Sequence, residues 1–150
     1  MNSEYKPLKI VVTGSRNYSC SAKDFDRFMQ RALILCDLAR QEFHVDTQHS
    51  LKLAQGGAKG ADELARRWCS EQDPNRVECV TYEADWGTHG KSAGPKRNIH
   101  MLRDFDPELV VAFWNGQVGG SGTHHCLKEA ATLGIPVLVV PINKKVQNIG

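Results

Sequence analysis

The sequence predicts an α/β fold, a Rossmann-like doubly wound parallel sheet of about five strands in the order 3-2-1-4-5. Three observations lead there. Short apolar runs, most of them rich in β-branched residues, alternate with longer amphipathic segments. The glycine-rich turns follow the apolar runs, not the amphipathic segments. The length of 150 residues suits one domain with a proper core.

Leu8 to Thr13 (LKIVVT) reads as a buried strand ending in Gly14-Ser15-Arg16. A helix follows from about Ser21 to Arg40, with Phe25, Phe28, Met29, Ala32, Leu33, Cys36 and Ala39 on one face. Ser21, with Asp24 three residues later, supplies its cap. Gln41 to Gln48 is a polar connection to a second strand, Leu51 to Ala54.

The turn Gln55-Gly56-Gly57-Ala58-Lys59-Gly60 opens the next helix. Ala61, Leu64, Ala65, Trp68 and Cys69 fall on its inner face, while Asp62/Arg66 and Glu63/Arg67 are expected to pair on the solvated side. Asp73-Pro74-Asn75 stops it, and Val77 to Tyr82 alternates as a third strand. Glu83 to Ala93 reads as a long loop, and Gly94-Pro95 opens a third helix. Leu109 to Phe113 is the fourth strand. A glycine-rich turn, Trp114 to Thr123, leads into a fourth helix that ends at Gly134. Ile135 to Val140 is the fifth strand. The domain is assigned residues 1–140 and a surface tail 141–150.

In such a sheet the turns after the strands gather at the carboxyl edge, where ligands bind beside the point at which strand order reverses. Strands one and four flank that point. Gly14, Ser15 and Arg16 are therefore expected to face Gly119, Gly120, Ser121, Gly122 and Thr123. Glycines let the backbone approach a ligand, and unpaired amides at a helix start favour phosphate. Arg16 offers a bidentate phosphate contact. Arg97 and Asn98 lie in a first helical turn, where the dipole disfavours arginine, so a ligand contact is the better reason for Arg97. Gly56, Gly57, Lys59 and Lys91 complete the expected anion site. Asp62 either reads a ribose hydroxyl or favours its helix amino terminus. Trp114 and Trp86 either stack on a base or belong to the core.

Other classes are disfavoured. A net charge of +2 makes no general nucleic-acid surface. No apolar run has membrane-spanning length and the amino terminus lacks a signal-peptide core, so a cytoplasmic protein is expected. The five cysteines, never spaced CxxC, read as free thiols. Adjacent His124 and His125 point apart on a helix, so no metal site is expected. Neither GxGxxG nor GK[ST] occurs, and no cofactor is implied.

Several of these segments, in order, resemble the YspA-like branch of the SLOG superfamily. They are Thr13-Gly14-Ser15-Arg16, Gly56-Gly57-Ala58-Lys59-Gly60-Ala61-Asp62, Ala84-Asp85-Trp86, Ala93-Gly94-Pro95-Lys96-Arg97-Asn98 with Met101, Ala112-Phe113 with Gly122-Thr123, and Gly134-Ile135-Pro136-Val137. The resemblance implies a nucleotide-derived ligand, often a homo-oligomer, and a place beside bacterial defence systems or in phages. Some relatives handle ADP-ribose-like signals. The related cytokinin-activating phosphoribohydrolases carry PGGxGTxxE and an Arg-Lys pair on an earlier helix. Here Gly119 to Thr123 matches the glycines and Arg97-Asn98 stands for the pair. Val118 replaces the proline and Cys126 the carboxylate, with Glu129 nearly a turn further on. The expectation is a binding module for an ADP-ribose-type molecule. The alternative is an N-glycosidase or phosphoribohydrolase acting on a nucleoside monophosphate or an ADP-ribose derivative.

Overall fold

Strands and helices alternate through the computed structural model, which describes residues 6–41, 50–116 and 122–141. They are β1 (Leu8–Gly14), α1 (Ala22–Arg40), β2 (Leu51–Gln55), α2 (Ala61–Ser70), β3 (Val77–Thr81), α3 (Trp86–His89), α4 (Ala93–Phe105), β4 (Leu109–Trp114), α5 (Gly122–Thr132) and β5 (Val137–Pro141). The sheet has the order β3-β2-β1-β4-β5, and every pair is parallel. The predicted fold class and strand order are the ones found.

Alternation along β1 divides the core. Ile10 and Val12 face α1 and α2, packing with Phe25, Met29, Leu33, Trp68 and Phe113. Val11 faces the opposite way, packing with Met101, Leu102, Phe105, Cys126 and Ala130 of α4 and α5. Phe113 is the hub of the first layer, its ring 5.0 Å from Tyr18, 5.1 Å from Phe25 and 5.8 Å from Phe28. At the amino edge of the sheet, Arg40 grips Glu108 with two bonds, Nε to Oε1 at 2.8 Å and Nη2 to Oε2 at 2.7 Å.

Local chemistry sets the helix ends. Ser21 caps α1 by accepting the Asp24 N–H at 3.0 Å, as its position suggests. Gln41 ends α1 in the left-handed region at φ 59°. Gly134 at φ 73° closes α5, with Ile135 N–H donating back to the Ala130 carbonyl at 2.9 Å. This use of Ile135, followed by Pro136, delays β5 to Val137. Two expectations need correction. Asp62 does not pair with Arg66 on a solvated face; it is buried, 6% exposed, beneath the loop before its own helix. The stretch Glu83 to Ala93 is not a plain loop. Asp85 caps α3 by accepting the Thr88 N–H at 3.1 Å, and a single 3-10 turn, Gly90–Ser92, joins α3 to α4.

Candidate functional site

The turns after β1, β2 and β3 meet the starts of α2, α4 and α5 at the carboxyl edge. Ser15 donates its N–H to the Phe113 carbonyl of β4 at 3.1 Å, and its own carbonyl accepts the Ala61 N–H of α2 at 3.2 Å. Gly14 allows this crossing: a Cβ there would lie 2.6 Å from the Ala61 methyl and 2.7 Å from the Phe113 oxygen. Gly60, at φ 77°, lies against the same turn, and a Cβ on it would come within 2.6 Å of the Arg16 carbonyl carbon. The two glycine turns are thus in direct contact.

The Gly56–Gly60 loop spends its first amides internally. Oδ2 of Asp62 accepts the N–H groups of Gly56 and Ala58, each at 3.2 Å, and Oε1 of Gln55 accepts the Gly57 N–H at 2.6 Å. These amides shape the loop, and Asp62 serves as its inner anchor. Burial raises the Asp62 carboxyl pKa, opposed in part by the Ala58 amide, the Arg97 charge and the Gly56 amide.

Arg97 closes this arrangement from α4. Its Nη1 donates to the carbonyls of Gly56 at 2.6 Å and Tyr82 at 3.3 Å, and its Nε to Oδ1 of Asn98 at 3.0 Å. Burial lowers the Arg97 pKa, the Asp62 charge opposes that, and repulsion from Arg16 adds to it. Arg16 is exposed, its guanidinium 5.7 Å from the centre of the Trp86 ring. Trp86 is half-exposed and leans on the start of α4, where a Cβ on Gly94 would lie 3.4 Å from its Cη2.

Asn98 is buried and carries the network onward, its Nδ2 donating to the Gly122 carbonyl at 3.2 Å and lying 3.4 Å from Nδ1 of His125. Arg97, Asn98 and Gly122 are thereby joined. Thr123 is buried in the first turn of α5. Trp114, at the end of β4, stacks on His124 with ring centres 5.9 Å apart. The Ser15 hydroxyl bonds to Asn17. Lys59 and Lys91 are exposed, without a hydrogen bond or ion pair among the described residues. Gly119, Gly120 and Ser121 lie outside the described residues. No described group of His, Cys, Asp or Glu is arranged to hold a metal ion. Reading the sequence missed Gln55; its signal is a polar side chain at the end of an apolar strand, just before two glycines.

The family described as "YspA, cpYpsA-related SLOG family" matches residues 8–89, which include β1, β2 and both of these glycine turns. The chain belongs to that SLOG family. A relative of the chain is the "Gene 61 protein" of Mycobacterium phage D29, 36% identical over 132 residues, covering 87% of this chain and 94% of the relative. Membership points, at a coarse level, to a nucleotide-related small-molecule ligand. None of the described helices is long and apolar enough to cross a membrane.

Proposed function

We propose that the protein binds a phosphate- and ribose-bearing molecule of the ADP-ribose type at the carboxyl edge and holds it without consuming it. The observation that carries this reading is the meeting of two turns at that edge: Gly60 lies against the backbone of Arg16, and Arg97 donates to the carbonyl of Gly56 in the same loop as Gly60. An anion at that edge would accept charge-assisted hydrogen bonds from the Arg16 and Arg97 guanidinium groups. The exposed Arg16–Trp86 pair offers a flat face for a base. Lys59 and Lys91 supply further positive charge, and Thr123, at the start of α5, and Trp114 border the same edge. Sequestration of a host signal by a cytoplasmic homo-oligomer is the biological role we propose, in keeping with the phage relative.

Hydrolysis is the second reading, and Cys126 weighs against it. The thiol is fully buried, and burial pushes its pKa up to about 12, against the lowering effect of a hydrogen bond with Thr13. A neutral thiol inside the core cannot support positive charge developing on a ribose. The test is incubation with AMP and with ADP-ribose, read by thermal shift and by chromatography of the recovered ligand. A raised melting temperature with intact ligand supports binding. Free base supports the hydrolase, and no shift with either compound contradicts both readings.

A further inference from the structure

We propose that Glu83 determines the sugar specificity of the edge site, its carboxylate accepting the two vicinal hydroxyls of the ligand's adenosine ribose. The assignment rests on the ADP-ribose reading above. Glu83 follows β3 at the carboxyl edge and is exposed. It makes no hydrogen bond or ion pair among the described residues. Arg97 brings it to the site. Nη1 of Arg97 donates to the carbonyls of Gly56 and Tyr82, and the residues that follow these two are Gly57 and Glu83. They lie side by side: a Cβ on Gly57 would stand 3.6 Å from Cγ of Glu83 and 3.8 Å from its Oε1. Gly57, at φ 76°, has no side chain, so bare backbone flanks the carboxylate.

The other polar groups that could read a ribose are occupied. Asp62 is buried, and its Oδ2 accepts the Gly56 and Ala58 amides. Asn98 is buried, with Oδ1 on Arg97 and Nδ2 on the Gly122 carbonyl. Asp85 caps α3. Dinucleotide-binding sheets of this kind place a ribose-reading acid beyond the first glycine turn, toward the second strand. Here the last residue of β2 is Gln55, fully buried and bonded to Thr81 and Gly57. Of the two carboxylates against the Gly56–Gly57 turn, Asp62 is turned into the protein and Glu83 is open to a ligand.

A carboxylate beside a phosphate site opposes anion binding, because like charges repel. A vicinal diol offsets this. Its two hydroxyls are donors on adjacent carbons, and an ionised carboxylate offers two acceptor oxygens and no donor. A sugar lacking one hydroxyl forfeits a charge-assisted bond, and one carrying a phosphate there meets repulsion. Glu83 thereby selects an unmodified ribose over 2′-deoxy and 2′-phosphorylated sugars.

The test is calorimetric titration of the full-length protein and of Glu83→Ala with ADP-ribose and with its analogue lacking the adenosine 2′-hydroxyl. The wild type is expected to bind ADP-ribose about tenfold more tightly than the analogue, the loss of one charge-assisted hydrogen bond. In Glu83→Ala the ADP-ribose affinity should fall by at least about tenfold, and the two ligands should bind equally well. The unliganded variant should melt as the wild type does, because Glu83 has no partner to lose. A carboxylate that only meets solvent gives the opposite sign, since its removal lessens repulsion and tightens phosphate binding. That result, equal binding of the two ligands by the wild type, or a preference for ADP-ribose that Glu83→Ala keeps, overturns the role of Glu83 without touching the ligand reading. Binding of neither compound by the wild type overturns both.

Discussion

Arg97 donates through Nη1 to the carbonyl oxygen of Gly56 at 2.6 Å, binding the first turns of α4 to the loop after β2. The contact leaves no room for a side chain. A Cβ on Gly56 would lie 2.6 Å from the guanidinium carbon of Arg97 and 3.1 Å from Oδ2 of Asp62. Gly56→Ala is therefore expected to displace Arg97 and to cost roughly 1–3 kcal/mol of stability, as overpacking does. Chemical denaturation measures the cost. Loss of the ADP-ribose thermal shift in the folded variant would show that the displaced guanidinium is the one that matters.

The two arginines divide their roles. Arg16 is exposed, so Arg16→Ala should change stability by no more than about 0.5 kcal/mol. It should still weaken ligand binding by about tenfold, the loss of one charge-assisted contact. Arg97→Ala should weaken binding and also destabilise by about 1–3 kcal/mol, because it unpairs buried carbonyls beside the Asp62 carboxylate. Calorimetric titration and urea unfolding of both variants separate these effects.

Asp62 predicts a pH dependence with a definite sign. Burial raises its folded-state pKa above the ordinary 3.8, so the folded protein holds the proton more tightly than the unfolded chain. Its contribution to stability is full below that ordinary value and is lost as pH rises through the folded-state value. Asp62→Asn keeps an acceptor for the Gly56 and Ala58 amides but does not titrate. Across mildly acidic pH, the wild type should lose stability relative to Asp62→Asn in urea unfolding. A constant difference between the two proteins would contradict the assignment.

Cys126 offers a test of the hydrolase reading. Cys126→Glu restores the carboxylate that the phosphoribohydrolases carry, but at a fully buried position among Val11, Met101 and Val110. The expected outcome is a loss of about 3–5 kcal/mol, the scale of an uncompensated buried charge, with no base released from AMP. A stable variant that releases base would revive that reading.

The fold was legible because the apolar runs are short and end in glycine turns; Leu8 to Thr13 and Leu109 to Phe113 each lie within one residue of an observed strand. Strand order alone predicted that the turn after β1 and the start of α5 lie at one edge of the sheet, whereas Arg97 was singled out by its place near a helix start. Asp62 was misjudged because helical spacing gives only its direction on α2, and burial came from the Gly56–Ala58 loop folding over it. α3 escaped because four residues, one of them glycine, are too short to show periodicity. The Gln55 bridge between Thr81 and Gly57 depends on β2–β3 register, which places Gln55 opposite Thr81.

A crystal structure grown with ADP-ribose tests the central claim most directly. The expected result is a ligand phosphate within about 3 Å of both the Arg16 and Arg97 guanidinium groups, at the edge where Gly122 begins α5. A ligand bound near Arg40 and Glu108 at the opposite edge, or one that touches neither Arg16 nor Arg97, would contradict it.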